Sequence, residues 1–269
     1  RGDYVTRHGF GYSVFEHCED GLVSELTVYV ALDAAIKYSV LRIRNVSDRT
    51  RQLSATGYVE WVLGDLRPKS VMHIHTETDT TTSALLARNP YNTEFTQRTA
   101  FFDVDSSTRS VSGDRNEFIG RNRSLYNPAA MEQIRLSGKL GAGLDPCAAI
   151  QVPFELHQGQ QKEMVFMLGV ADTRYTDVSQ LVLRHRGANA AHEALAAVNA
   201  YWQHTLSTVQ VETPDPAFNV LANGWLMYQT IACRLWARSG YYQSGGAFGF
   251  RDQLQDSMAL VHSEPKLVR

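Results

Sequence analysis

Alternation of apolar and polar residues dominates the first two thirds of the chain. Between Leu22 and Val30 the apolar side chains fall mostly at every second position, as expected for a strand with one buried face. The turn residues 157–160 lie between two β-rich runs and predict a hairpin. Many short strands with little helix between them predict a large antiparallel β-sandwich over residues 1–175. The runs that predict further strands are 40–46, 54–63, 99–104, 134–140, 148–156 and 163–170.

The spacing changes at about Thr176, where helical periodicity replaces alternation. Asp177 predicts the N-cap of a helix that runs towards Arg186. The alanine-rich run 188–205 carries apolar residues on one face and predicts a second helix. Residues 176–214 are therefore predicted to form a helical linker.

A longer helix is predicted to begin at Asp215-Pro216, because Asp is a good N-cap and Pro favours the first helical position. Gly240 would end this helix, and residues 251–261 predict another after a long loop. The fold class is thus mainly β with α: a sandwich, a helical linker and the first helices of an α-helical domain in residues 215–269. The longer helix is expected to bury one face, formed by Phe218, Leu221, Trp225, Tyr228, Ala232 and Leu235.

Composition excludes several classes of protein. The 269 residues are 43% hydrophobic with a formal net charge of −2, which gives no electrostatic footprint for a nucleic-acid partner. No run approaches the ~18 apolar residues of a membrane span, so no membrane contact is expected from this segment. The chain begins with Arg1 rather than Met, and we expect it to be a piece of a longer protein.

The three cysteines Cys18, Cys147 and Cys233 are far apart and form no CxxC motif. This spacing predicts neither a disulfide framework nor a zinc site. Buried free thiols and a reducing compartment, the cytoplasm, are expected, whether the parent protein is free or membrane-attached.

The richest candidate chemistry lies in residues 241–256, which combine aromatics, glycines, an arginine, carboxylates and carboxamides. Arg251 and Asp256 are expected to bind hydroxyls of a sugar ring, with Asp252 and Gln255 holding them in place. Tyr242 or Phe248 would form an aromatic wall. The alternative is a glycine-rich loop whose Arg and Asp residues pair with each other. The candidate substrate-binding residues are Tyr242, Gln243, Phe248, Arg251, Asp252, Gln255 and Asp256.

Other polar groupings point less clearly to chemistry. His73, His75, Glu77 and Asp79 would share one face of a strand, which fits either a metal site or, as we prefer, a solvated face with mixed charges.

Two further groupings are expected to be solvated. Asp103 and Asp105 form a close carboxylate pair that is expected to be exposed. Residues 114–123 predict a solvated polar loop, or one that reaches into a neighbouring cleft of this chain or of a partner subunit.

Two sets of residues carry a resemblance to a known family. The C-terminal set includes Asn223-Gly224-Trp225, Tyr228-Gln229, Arg234 and the runs 237–243 and 245–256. The N-terminal set consists of residues 7–13, 25–30 and 55–64. Together they resemble the cellobiose phosphorylase-like enzymes of glycoside hydrolase family 94, especially the phosphorylase-like domain of cyclic β-1,2-glucan synthases.

The resemblance implies a β-sandwich, a helical linker and then an (α/α)6 catalytic barrel. It implies cleavage of a β-glucosidic bond by inorganic phosphate with inversion, giving α-glucose 1-phosphate. Phosphate is then a co-substrate, no other cofactor is expected, and the partner is a β-glucan or gluco-oligosaccharide. Arg251, Asp252 and Asp256 map to the subsite for the transferred glucosyl unit. Family members also imply a homodimer built partly through the sandwich.

The family's general acid lies in a Trp-Asn-Asp motif, which does not occur in these 269 residues. The resemblance places this acid and the phosphate-binding residues further downstream. We therefore assign no catalytic residue here and expect the chain alone to be inactive. The competing interpretations are a non-catalytic carbohydrate-binding or dimerisation module, and a phosphorylase acting on cellobiose or another β-disaccharide.

Overall fold

The segments with alternating apolar residues form the strands of two antiparallel sheets. The structure is a computed structural model that describes residues 2–236 and 250–268. One sheet has the order β1-β2-β3-β4-β11-β8-β7-β6, and the other has the order β5-β10-β9. The fold class predicted from the sequence is confirmed. In chain order the strands are β1 (Tyr4–Gly9), β2 (Tyr12–Glu19), β3 (Leu22–Val30), β4 (Ile36–Asn45), β5 (Arg51–Glu60), β6 (His75–Thr78), β7 (Leu85–Arg88), β8 (Arg98–Val104), β9 (Ser110–Asp114), β10 (Pro146–Leu156) and β11 (Gln161–Asp172).

The core of the sandwich lies between the two sheets. Alternate residues of β8 and β11 point into it from the large sheet, including Phe102 and Phe166, whose ring centroids are 6.0 Å apart. Ile150 and Val152 of β10 are fully buried and fill it from the small sheet. A side chain cannot be added at Gly57 without rearrangement, because a Cβ there would lie 2.6 Å from Phe166. Glycine in β5 therefore lets the small sheet approach the aromatic pair.

Two predictions about the strands were wrong. Residues 157–160 do not close a hairpin, because β10 pairs with β5 and β9 whereas β11 pairs with β4 and β8. The connection crosses from one sheet to the other. The segment 134–140 is not a strand: Gly138 has a positive φ of 80° and Ile134 is 93% exposed. A hydroxyl, Ser110 Oγ, holds this segment by accepting from the Leu136 amide.

Helices pack on both sheets. Helices α1 (Arg67–Ser70) and α2 (Arg115–Ile119) are short, and α3 (Val178–His185) and α4 (Ala188–Leu206) match the predicted linker helices. Helix α2 lies on β9 and β10 of the small sheet, and α3 lies on β8 and β11 of the large sheet. The predicted N-cap is confirmed, because the Asp177 carboxylate accepts from the Ser179 amide at 2.9 Å. Tyr38 of β4 fixes the end of α3 by donating to the His185 carbonyl at 3.0 Å.

Asp103 was predicted to be exposed, and this prediction was wrong. Its side chain in β8 is fully buried on the outer face of the large sheet, where two guanidinium groups hold it. Arg109 Nη1 donates to Asp103 Oδ1 at 2.8 Å, and Arg186 donates to both carboxylate oxygens at 2.8 and 2.9 Å. Both arginines also donate to the Thr82 carbonyl. We call this set, Asp103, Arg109, Arg186 and Thr82, the Asp103 clamp.

A second charge network lies at the end of the small sheet. Arg67 and Arg115 each pair with both Glu60 and Asp145, which joins α1 and α2 to the ends of β5 and β10. Burial alone would raise the pKa of Glu60, but hydrogen bonds from Arg115 and Tyr58 and the positive charge of both arginines lower it below 4.5.

The sequence predicted a solvated loop over residues 114–123, and the structure corrects this for 114–119, whereas residues 121–123 are exposed and non-helical. Asp114 caps α2, and Phe118 and Ile119 are buried against Tyr58 and other apolar residues. An amphipathic turn of helix explains the mixture of polar residues and one aromatic, since only the polar side faces solvent.

The chain divides into two compact units, residues 1–195 and 196–269, and α4 contains the point of division. In the second unit, residues 216–236 form a continuous helical run, and Asp215 caps it by accepting from the Ala217 amide at 2.9 Å. The run alternates between α and π geometry: α5 (Pro216–Val220), a π segment (Leu221–Trp225), α6 (Leu226–Gln229) and a π segment (Thr230–Trp236). Helices α7 (Phe250–Met258) and α8 (Pro265–Val268) follow.

The expected buried face of this helical run is only partly buried. Phe218, Leu221 and Trp225 are 40–49% exposed, whereas Ile231 is fully buried. Of the three cysteines, Cys147 is buried, but Cys18 and Cys233 are exposed, which corrects the expectation of three buried thiols. In the part of the chain that the structure describes, no helix is long and apolar enough to cross a bilayer.

The Asp103 clamp generates a stability prediction. Asp103→Asn should lower the free energy of unfolding by about 3–5 kcal/mol, because it leaves two guanidinium groups without their buried counter-charge. Asp65→Asn is the matched control, since Asp65 pairs with Lys69 on the surface and both side chains are about two-thirds exposed. The control should change stability by less than about 1 kcal/mol. Urea unfolding measures both, and equal effects of the two substitutions would contradict the clamp.

The Glu60 network generates a pH prediction. A carboxyl whose folded pKa lies below its unfolded value of 4.5 stabilises the protein above that pH and loses the effect as pH falls through the folded pKa. Glu60→Gln should therefore lower stability at pH 7 and flatten its decline below about pH 4.5. Glu212→Gln, at an exposed position, is the control and should keep the wild-type slope. Thermal unfolding between pH 7 and pH 3 tests this, and identical slopes for all three proteins would contradict it.

Candidate functional site

Helix α7 carries the described part of the predicted sugar subsite. Arg251 and Gln255 are four residues apart, so they lie on one face of the helix, and both are exposed. Asp256 lies on the neighbouring stripe of the same helix. The side chain of Asp252 lies outside the described residues. Tyr242, Gln243 and Phe248 lie outside the described residues.

Asp256 is held by an arginine that the sequence analysis did not assign to the site. Arg234, in the π segment Thr230–Trp236, donates from Nε to Asp256 Oδ2. The two side chains are 26% and 35% exposed, so the pair is partly shielded from water. No donor in the described residues contacts the other oxygen, Oδ1, which leaves it available to accept a hydroxyl hydrogen bond.

The sequence left open that the Arg and Asp residues of the glycine-rich loop pair with each other. Asp256 does pair with an arginine, but this arginine is not in that segment. The alternative named Arg and Asp residues of one loop, whereas Arg234 comes from the preceding helical run, 22 residues earlier. In the sequence, the one indication of a role for Arg234 was its place among the residues that carry the family resemblance. A side chain held by a charge-assisted bond loses less freedom when it binds a ligand, so Arg234 would preorganise Asp256.

An aromatic cluster lies in the same unit. Trp202 is almost fully buried, and its ring centroid is 4.6 Å from that of Tyr228 and 5.4 Å from that of Trp236. Trp225 and Trp236 are about half exposed. The buried indole anchors the cluster, and the exposed rings present apolar faces of the kind that stack on a pyranose.

Within residues 196–236 and 250–268, two acidic side chains besides Asp256 make structural hydrogen bonds. Asp215 caps α5, and Glu264 accepts from the Thr205 hydroxyl at 3.3 Å. Glu212 is exposed in the connector. Ordinary glycoside hydrolysis uses two carboxyl groups on either side of the scissile bond, and Asp215 and Glu264 are held by the contacts above.

Three of the four residues of the possible metal site have separate partners. His73 stacks on Tyr91 with centroids 4.1 Å apart, and Glu77 pairs with Arg88. Asp79 accepts from Thr82 and from Ser179. Of the described residues, no three histidine, cysteine or carboxylate side chains are grouped as metal ligands would be.

Comparison with known families matches both parts of the chain. Residues 1–188 match the supersandwich domain of glycosyl hydrolase 94, and residues 201–269 match the catalytic domain of the glycosyl hydrolase 94 superfamily. The chain belongs to glycosyl hydrolase family 94. The resemblance derived from the sequence motifs is thereby confirmed, and the second unit is the start of the family's catalytic domain.

Two curated relatives in the family align with nearly the whole chain. The cyclic β-(1,2)-glucan synthase NdvB of Rhizobium meliloti (strain 1021) is 39% identical over 267 residues, which are 99% of this chain and 9% of the synthase. The N,N'-diacetylchitobiose phosphorylase of Vibrio furnissii is 28% identical over 284 residues, which are 99% of this chain and 34% of the phosphorylase. The chain therefore spans about a tenth and about a third of these relatives.

A solved structure outside the family shares the architecture. A bacterial glucoamylase complexed with acarbose aligns with a TM-score of 0.51 at 7% identity, over 86% of this chain and 32% of the glucoamylase. At this identity the comparison shows a common fold.

Proposed function

We propose that this chain is the N-terminal part of an inverting glycoside phosphorylase that cleaves β-1,2-linked glucans with inorganic phosphate to give α-glucose 1-phosphate. The observation that carries the proposal is the family match in both units, together with 39% identity to a cyclic β-(1,2)-glucan synthase over 267 residues. The linkage follows from that relative alone, because the diacetylchitobiose phosphorylase is less similar at 28%.

The geometry of α7 supports a sugar-binding role. Arg251 would donate to ring hydroxyls, and Asp256 would accept from one hydroxyl through Oδ1 while Arg234 holds Oδ2. Such bonds raise the rate when they are stronger in the transition state than in the bound ground state. Asp252 and Gln255 would complete the polar face of the helix.

Phosphate would act as the nucleophile, so one general acid would suffice in place of a carboxylate pair. Three acids of the second unit are used in this way: Asp215 caps a helix, Glu264 accepts from a hydroxyl and Asp256 pairs with Arg234. We therefore propose that the general acid and the phosphate site lie elsewhere in the complete protein, and that these 269 residues alone are inactive.

The exposed apolar face of the helical run fits this proposal. Phe218, Leu221 and Trp225 are 40–49% exposed, and Leu254 and Met258 of α7 are 53% and 63% exposed. Further helices of an (α/α)6 barrel would cover such a face and recover the free energy of burying it.

Phosphorolysis is the direct test. The full-length protein should release α-glucose 1-phosphate from β-1,2-gluco-oligosaccharides only when phosphate is present, and the 269-residue chain should release none. Cellobiose and N,N'-diacetylchitobiose serve as alternative substrates in the same assay. Turnover of either one but not of the β-1,2-linked substrate would reject the linkage. Inactivity on all three would favour a binding or dimerisation module.

The subsite has its own prediction in the full-length protein. Arg251→Ala and Asp256→Ala should each lower kcat/KM by about 10- to 150-fold, the equivalent of losing one charge-assisted hydrogen bond. Lys266→Ala and Glu212→Ala remove exposed charges of the same signs from the same unit and should stay within about twofold of wild type. Normal kcat/KM in both subsite variants, with the fold intact by circular dichroism, would reject the assignment.

A further inference from the structure

A polar cavity lies within the β-sandwich unit, away from α7 in the sequence. It has a volume of about 620 Å³, which is within the range of small-molecule sites. The segment between β8 and β9 forms one wall, and the turn between β6 and β7 and the segment 135–138 form others. All of its lining residues fall between positions 78 and 186, inside the first unit.

Three arginines line this cavity, and they differ in how many of their N–H donors are hydrogen-bonded. Arg109 and Arg186 share the single buried carboxylate of Asp103. Arg186 Nη1 has no acceptor among the described residues, since its bonds are made by Nε and Nη2. Arg135 is exposed and makes no hydrogen bond or ion pair with any described residue. The cavity thus presents guanidinium donors that the protein does not use.

The acids near the cavity do not neutralise these donors. Asp105 is the acidic residue in the lining, and its Oδ1 accepts from the Val165 amide at 2.9 Å. Burial raises the pKa of Asp105, and the nearby charge of Asp103 adds to this effect. Within the lining, three arginines accompany one carboxylate, that of Asp105. Asp103 lies behind two of these arginines, and Asp79 and Glu117 accept from the lining hydroxyls of Thr82 and Ser137.

The remaining lining matches a sugar more closely than a simple ion. Seven hydroxyl side chains line the cavity, and those of Thr78, Ser83 and Ser107 make no side-chain hydrogen bond with a described residue. Ser107 makes no hydrogen bond with a described residue, and the short apolar side chains of Val104, Val111 and Leu136 complete the walls. Hydroxyl groups that both donate and accept suit a polyhydroxylated ligand, whereas an inorganic anion needs only the donors.

We propose that this cavity binds a hexose phosphate, with the phosphate on Arg135 and on the free Nη1 of Arg186 and the sugar hydroxyls on the serine-rich wall. Guanidinium groups suit phosphate because their planar N–H donors can bind two of its oxygens at once. The site is separate from the subsite on α7. It also contacts the Asp103 clamp through Arg186, so that an occupant stabilises the attachment of α3 to the sheet.

Isothermal titration of the full-length protein with glucose 6-phosphate tests the proposal. This probe is chosen because it is not the product of the proposed phosphorolysis, so its binding does not depend on that function. Arg135→Ala should weaken binding about tenfold or more, the loss expected for charge-assisted bonds. Ser107→Trp, which fills the cavity while leaving every arginine in the chain, should abolish it. Arg44→Ala removes an exposed arginine of β4 outside the cavity and should bind as wild type.

Each other outcome counts against the proposal. Wild-type affinity in both cavity variants would place the ligand elsewhere. Inorganic phosphate binding as tightly as glucose 6-phosphate would show that the hydroxyl wall contributes nothing and would overturn the sugar assignment. Absence of phosphorolysis with Arg135-dependent binding retained would reject the proposed function and leave this site standing. Absence of glucose 6-phosphate binding in an active enzyme would reject this site and leave the proposed function standing.

Discussion

The buried carboxylate of Asp103 is the constraint on which the first unit depends. A charge without water must be fully paired, and here two guanidinium groups satisfy both carboxylate oxygens. The pairing is possible only if β8, the β6–β7 turn and the residue that follows α3 are all in place at once, since Arg109 and Arg186 both also donate to the Thr82 carbonyl. One ion network therefore fixes α3 on the sheet, in a way that apolar packing, which is non-directional, would not.

The same clamp explains why a polar cavity persists beside a well-packed core. Two arginines bring more donors than one aspartate can accept, and the donors that remain must face water or a ligand. The cavity lies where β8 leaves the large sheet and β9 enters the small one, so the two sheets do not close over it. Structural pairing and ligand recognition thus draw on one set of guanidinium groups, which couples occupancy of the cavity to attachment of α3.

Signals contained within a few residues predicted most of the fold. The errors arose where the structure depends on contacts between residues far apart in the sequence. The caps at Asp177 and Asp215 were readable because an N-cap is decided within three residues. The burial of Asp103 could not be predicted in this way, because its partner Arg186 lies 83 residues away in the sequence. The false hairpin at 157–160 has the same origin: a turn signal shows that the chain reverses and does not show which sheet the next strand joins. For the site, spacing placed Arg251, Gln255 and Asp256 on one helix, but the pairing with Arg234 required the folded chain.

The pair between Arg234 and Asp256 bears on how the catalytic unit would recognise a sugar. An aspartate with both oxygens free could rotate and accept from many directions, whereas one held at Oδ2 has its carboxylate plane fixed and keeps Oδ1 open to a hydroxyl. The constraint lowers the entropic cost of binding and restricts which hydroxyl the carboxylate can reach. Arg234 would then act as a positioning residue, and its loss should raise KM and lower kcat together, as loss of the Asp256 carboxylate would. Recognition in this unit would depend on a pair drawn from two helical segments, since neither side chain alone sets the direction of the bond.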